Sequence, residues 1–231
     1  MNPDNRPSSR DRLGQLLAAN RFAASIELLV VPLLLGLQAA GVLAKPKLLL
    51  LLFAWMSLWL RRVGWLRVGL FRPASWMVTV LAAILIGLAY DALDIEVFLP
   101  LLRRLTGEPL DLAAFAMLKG NTGLLLLLTG VSWLSGALVE EMLYRGYILN
   151  RLADVFGRTT TGWALSATLA SLAFGLAHHA QGITGVLDSV LAGLLFAGLY
   201  LRSRRNLWLP ILAHGVIDTA SIVALYLGFN P

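Results

Sequence analysis

The sequence predicts an all-α fold, a polytopic transmembrane bundle of about seven spans with one further amphipathic helix at the interface. Three observations predict it. Of 231 residues, 58% are hydrophobic and only 14% charged, and the mean hydropathy of +0.75 is far above what a soluble domain carries. Apolar stretches recur along almost the whole length, as in a bundle and not in a soluble domain with a single anchor. The basic residues sit in short clusters between apolar runs, Arg61, Arg62 and Arg67, then Arg202, Arg204 and Arg205. That placement is the positive-inside pattern, so the net charge of +6 is read as topology anchoring, with the lipid bilayer as partner and no nucleic acid. The absence of cysteine excludes disulfides and cysteine-based zinc or thiol chemistry.

Residues 1–22 read as a polar N-terminal cytoplasmic tail. Its first part, Met1 to Arg12, is expected to be disordered and is not followed by a convincing signal-peptidase site. Residues 23–231 read as one membrane-embedded domain. A span needs about 20 mainly apolar residues, and seven stretches qualify, near 24–43, 48–70, 74–91, 122–143, 162–180, 185–201 and 207–228. The second is the weakest, because Arg61 and Arg62 must snorkel. The tail, Arg61–Arg72, Arg145–Arg158 and Arg202–Arg205 then alternate onto one side, expected to be cytoplasmic. Ala44–Lys47, Asp91–Asn121 and His179–Thr184 face the other. Within Asp91–Asn121, charges interleave with Leu, Phe and Val, which predicts an amphipathic surface helix broken by Pro100 and Pro109. Trp65, Trp76, Trp163 and Trp208 lie near span ends, as an aromatic belt would.

Ionisable groups inside a bilayer are costly, on the order of 2.5–3.5 kcal/mol each on insertion scales, so each needs a partner or a task. The fourth span carries Glu140, Glu141 and Arg145. Glu141 and Arg145 are four apart and pair on one face, leaving Glu140, turned about 100° away, for another partner. Phe174 and His178 are one turn apart, as are His214 and Asp218. Gly175, Ala177, Gly193, Ala197 and Gly215 allow the close helix approach such a site needs. Counting from Arg151 and Asn206 puts Glu140 and His214 in the cytoplasmic half, whereas His178 falls near or beyond the midplane. His179 reads as a loop residue, and Glu27 and Asp188 as interfacial or packing groups.

Glu140-Glu141-x-x-x-Arg145, Phe174-x-x-x-His178 and His214-x-x-x-Asp218 resemble, in order and spacing, the three motifs of the CPBP family of CAAX-type and bacteriocin-processing membrane proteases, over a core of about 120–228. Asp218 stands where that family often has Asn. The resemblance implies an intramembrane endopeptidase acting on a membrane-associated protein or peptide, in a multi-pass protein of a bacterial-type inner (plasma) membrane with a cytoplasmic N-terminus. It implies Glu140 and His178 as the groups that activate water and His214 as the oxyanion donor, with Asp218 orienting it. Glu141, Arg145 and Phe174 are supporting residues. Glu140, His178 and His214 also make a chemically possible zinc set. The glutamate-dependent version without cofactor is preferred, because no His-Glu-x-x-His helix is present and the ligands would come from three helices. Two other classes are compatible with the same residues: a non-cleaving membrane partner, and a proton-coupled transporter, the latter disfavoured by the lack of an inverted repeat.

Overall fold

The computed structural model describes residues 8–229, and among them the regular structure is helical throughout. Six helices are long and apolar enough to cross a membrane, and a seventh, shorter apolar helix, Lys47–Leu60, completes the bundle. In chain order the helices are α1 (Ser9–Ala19), α2 (Arg21–Ala39), α3 (Lys47–Leu60), α4 (Trp76–Thr106), α5 (Thr122–Phe156), α6 (Thr160–Ala177), α7 (Gly182–Arg202) and α8 (Trp208–Leu227). Leu85, Leu105, Leu126 and Met117 are among many large apolar side chains that point outward. An exterior of this kind suits lipid and not water.

Three expectations change. The stretch from Ser9 onward is helical where a disordered tail was expected, because Ser8 and Asp11 form a reciprocal capping box that satisfies first-turn N–H groups. Met1–Pro7 lie outside the described residues. The amphipathic segment after Asp91 is not a separate surface helix but the far end of the 31-residue α4. Pro100 fails to break it because a stretch of wide, π-type winding, Asp94–Phe98, precedes the proline and absorbs the displaced carbonyl. The helix ends at left-handed Gly107, the usual glycine stop.

Likewise Arg145–Arg158 is no loop. Helix α5 runs 35 residues, to Phe156, about 52 Å at 1.5 Å per residue. Arg145 and Arg151 are buried along it. Arg151 pairs with Glu27 of α2 through Nε at 2.9 Å and Nη2 at 2.5 Å. A depth count that starts at Arg151 therefore starts inside the bundle. Glu140 lies near the middle of α5, and His178 caps the C-terminal end of the 18-residue α6, so the two reach similar depth and the apparent mismatch disappears.

Helices attract weakly in lipid by hydrophobicity alone, so the core depends on close packing and polar contacts. A Cβ on Gly193 would stand 3.0 Å from that of Ser171, and one on Gly215 would meet the Trp133 ring at 2.6 Å. Gly193 lets α6 and α7 approach closely, and Gly215 gives the Trp133 ring of α5 room against the backbone of α8.

Candidate active site

Glu140 and Glu141 sit on one ordinary turn, Val139–Glu141, between two π-type stretches, Ser132–Leu138 and Met142–Leu149. Wide winding shifts the phase of side chains around a helix and is frequent at functional positions. Both carboxylates are buried here.

Arg145 is 1% exposed. Its Nη1 donates to Glu141 Oε1 at 2.8 Å and its Nη2 to the Gly193 carbonyl at 2.9 Å. The guanidinium lies over the rings of Phe174, at 4.6 Å, and Phe196, at 5.1 Å. Arg145 thus has one carboxylate, one carbonyl and two aromatic faces in a dry interior, as a buried guanidinium requires. The pairing expected from the four-residue spacing is present.

The same Glu141 oxygen faces His214 Nδ1 at 2.9 Å. A carboxylate only accepts, so Nδ1 carries a hydrogen and donates it. The His214 ring is stacked on Phe196, 4.6 Å between centroids and 14° from parallel. Its Nε2 then points into a space bounded by Glu140 Oε2 at 4.0 Å and Asp218 Oδ1 at 3.5 Å. Glu141, not Asp218, therefore holds the orienting side of His214, and Asp218 borders the space beyond Nε2.

His178 Nδ1 lies 2.9 Å from the Phe174 carbonyl. The carbonyl can only accept, which puts the hydrogen on Nδ1 and the lone pair of the neutral ring on Nε2. Phe174 sits between the two histidines, 4.8 Å from the His178 ring and 6.0 Å from that of His214. Glu140, His178, His214 and Asp218, drawn from three helices, thus gather around one space. Lys47 joins them. Its Nζ pairs with Glu140 Oε1 and donates to the Ser135 carbonyl at 3.1 Å.

Residues 122–220 match the family model described as type II CAAX prenyl endopeptidase Rce1-like. This segment of the bundle is similar to that family, and we refer to it as the Rce1-like core. It contains all three motifs, and the resemblance to CPBP-type proteases read from them holds. No curated protein and no solved structure matches the chain. By its description, the family is one of CAAX-type endopeptidases, and the all-helical bundle with membrane-length apolar helices is that of an integral multi-pass membrane protein.

The Rce1-like core does not present its donors as a metal set. Among the described residues no three His, Asp or Glu side chains converge at metal-ligand spacing, and the nearest cation to Glu140 is the ammonium of Lys47. Zinc sites need three protein ligands on one ion. Of the flagged neighbours, His179 lies in the short turn His179–Gln181, and Glu27 is a packing group in the α2–α5 contact. Lys47 was missed by sequence reasoning. It stands 93 residues from Glu140, outside every motif, and its single signal was a lysine opening an apolar helix.

Proposed function

We propose that the protein is an intramembrane endopeptidase that hydrolyses a peptide bond of a membrane-associated protein or peptide by a glutamate-dependent route. The observation that carries this reading is the 4.0 Å gap between Glu140 Oε2 and His214 Nε2. It is too long for a hydrogen bond between them, so both groups face one space that a water can enter. In that gap a base and an electrophilic donor face one water.

Glu140 removes a proton from the water as its oxygen bonds to the scissile carbonyl carbon. The carbonyl electron pair moves onto oxygen, where His214, as imidazolium, donates Nε2–H while Nδ1–H stays on Glu141. When the intermediate collapses, the C=O bond re-forms and the C–N bond breaks. The proton held by Glu140 passes to the leaving amine, with His178 Nε2 the second site that can carry it. Asp218, at the rim of the gap 3.5 Å from Nε2, adds negative charge that favours the imidazolium, while Glu141 holds its orientation. Arg145 neutralises Glu141, leaving Glu140 as the carboxylate for the reaction.

The test is cleavage of a co-reconstituted membrane-anchored CAAX-type reporter in proteoliposomes. Glu140→Gln should insert and fold normally yet lose at least about 100-fold in rate, the usual weight of a positioned general base. Wild-type processing by that variant sinks the assignment. Stoichiometric zinc in the purified protein, with activity lost to chelator and restored by zinc, replaces this route with a metal-dependent one. Substrate-dependent proton flux without cleavage would instead indicate transport.

A further inference from the structure

We propose that Lys47 is a positioning residue for the catalytic carboxylate, clamping one oxygen of Glu140 so that the other faces the reacting water. The inference rests on reading Glu140 as the base. Three observations carry it. First, the ammonium is fully engaged, pairing with Glu140 Oε1 and reaching the Ser135 carbonyl at 3.1 Å and the Ser135 hydroxyl at 3.4 Å. An ammonium has three donors, and all three are directed at consecutive turns of α5. Second, the two oxygens of Glu140 are thereby divided. Oε1 is held, and Oε2 is the one that faces His214 Nε2 at 4.0 Å.

Third, Lys47 stands where a helix disfavours it. It is the first residue of α3, whose first turn has no acidic residue and whose N-cap makes no side-chain hydrogen bond. A cation at a helix N-terminus opposes the macrodipole. Here that cost is offset by a carboxylate from another helix. The preceding Pro46 fixes the entry to α3. The Lys47 side chain is 35% exposed while that of Glu140 is 8% exposed, so the lysine stands between the buried base and the outside of the bundle.

A purely structural ion pair needs only the positive charge, whereas a clamp also needs the length and shape of lysine. Because the chain has no cysteine, Lys47→Cys introduces its single thiol. Treating the folded, membrane-embedded variant with 2-bromoethylamine rebuilds an ammonium at nearly the original length. The assay is the full chain in proteoliposomes with a farnesylated, internally quenched CAAX peptide as probe. Lys47→Met and Lys47→Cys are expected to lower kcat about 30-fold or more with KM changed less than about threefold. Aminoethylation is expected to return at least about tenfold, and Lys47→Arg to remain well below wild type. Wild-type kcat in Lys47→Met, full activity in Lys47→Arg, or no recovery on aminoethylation overturns the clamp. A faster Lys47→Met enzyme overturns it in favour of a plug that substrate must displace.

Thermal unfolding in detergent supplies a readout independent of turnover. Lys47→Met should lower the midpoint, and Lys47→Met combined with Glu140→Gln should lower it by less than the sum of the two single changes. Additive shifts refute the coupling. If wild type leaves the probe uncut, the endopeptidase reading fails for that substrate, while the unfolding cycle still decides whether Lys47 and Glu140 act together.

Discussion

One oxygen of Glu141 accepts from both Arg145 Nη1 and His214 Nδ1, so a residue outside the reacting gap controls two that matter to it. Its second oxygen, Oε2, is buried without a hydrogen-bond partner, which leaves the whole anchoring on Oε1. Glu141→Gln keeps the size but removes the charge. Arg145, at 1% exposure, then loses its counter-charge, and removing one partner of a buried pair typically costs 3–5 kcal/mol. The expected result is a clear fall in the detergent unfolding midpoint, together with a drop in kcat larger than any change in KM, because a neutral amide oxygen is a weaker acceptor for His214 Nδ1 and no longer supports its imidazolium. A midpoint within error of wild type would show that the pair adds nothing to stability. Within one helix, sequence spacing exposes such contacts, and Glu141 with Arg145 is read directly from positions four apart. Contacts between helices carry no such signal. His214 on Glu141 spans 73 residues, so Asp218, its neighbour four residues on, looked like the orienting group instead.

At the scale of elements, Glu27 ties the N-terminal helices to the Rce1-like core. It accepts from Ser57 of α3 and Tyr147 of α5, and from Arg151 of α5 through two nitrogens. Arg151 also donates to the Leu17 carbonyl of α1 at 2.7 Å. Three helices therefore meet on one carboxylate, and a fourth, α1, on its guanidinium partner. Glu27→Ala should destabilise by about 3–5 kcal/mol, since it strands a buried guanidinium, and should loosen α1 and α2 first. Hydrogen exchange in detergent should show earlier exchange over Ser9–Ala39, with the amides around Glu140 and His214 protected for longer. Uniform loss of protection would mean instead that α2 and the core unfold as one unit. The spans themselves were visible in the sequence because lipid selects apolar runs of fixed length. What hid the true extent of α4 and α5 was their charge. Asp91–Thr106 and Arg145–Phe156 look like loop or surface segments, but Asp91 accepts from Ser221, Thr106 meets Thr184, and Arg145 and Arg151 reach Gly193 and Glu27, contacts with distant helices that a hydropathy pattern does not register.

At the scale of the whole molecule, the basic clusters gather at one end of the bundle. Arg10 of α1 donates to the Trp59 carbonyl at the end of α3 at 2.8 Å, and Arg62 pairs with Asp11. The turn after α7 docks on the segment after α3, with Leu207 N donating to the Gly69 carbonyl at 2.9 Å and the Asn206 side chain to that of Phe71 at 2.7 Å. Arg158 and Arg205 both lie over Trp163. The opposite end is closed by the loop after α4, where Asp111 N donates to the Gln181 carbonyl and Gly120 N to that of Tyr226. Three of the four basic segments therefore keep their shared side, and the fourth contributes Arg158 alone, since Arg145 and Arg151 are consumed inside. The excess of Lys and Arg at the α1 end predicts that this end is cytoplasmic. With no native thiol in the chain, single cysteines report the side directly. In oriented vesicles a membrane-impermeant maleimide should reach Ser9→Cys and Ser203→Cys only from the cytoplasmic face and Asp111→Cys only from the other. Labelling of Ser9→Cys and Ser203→Cys from opposite faces would refute the shared end, and reversal of all three would keep the bundle but invert it, placing the opening beside Lys47 toward the cytoplasm.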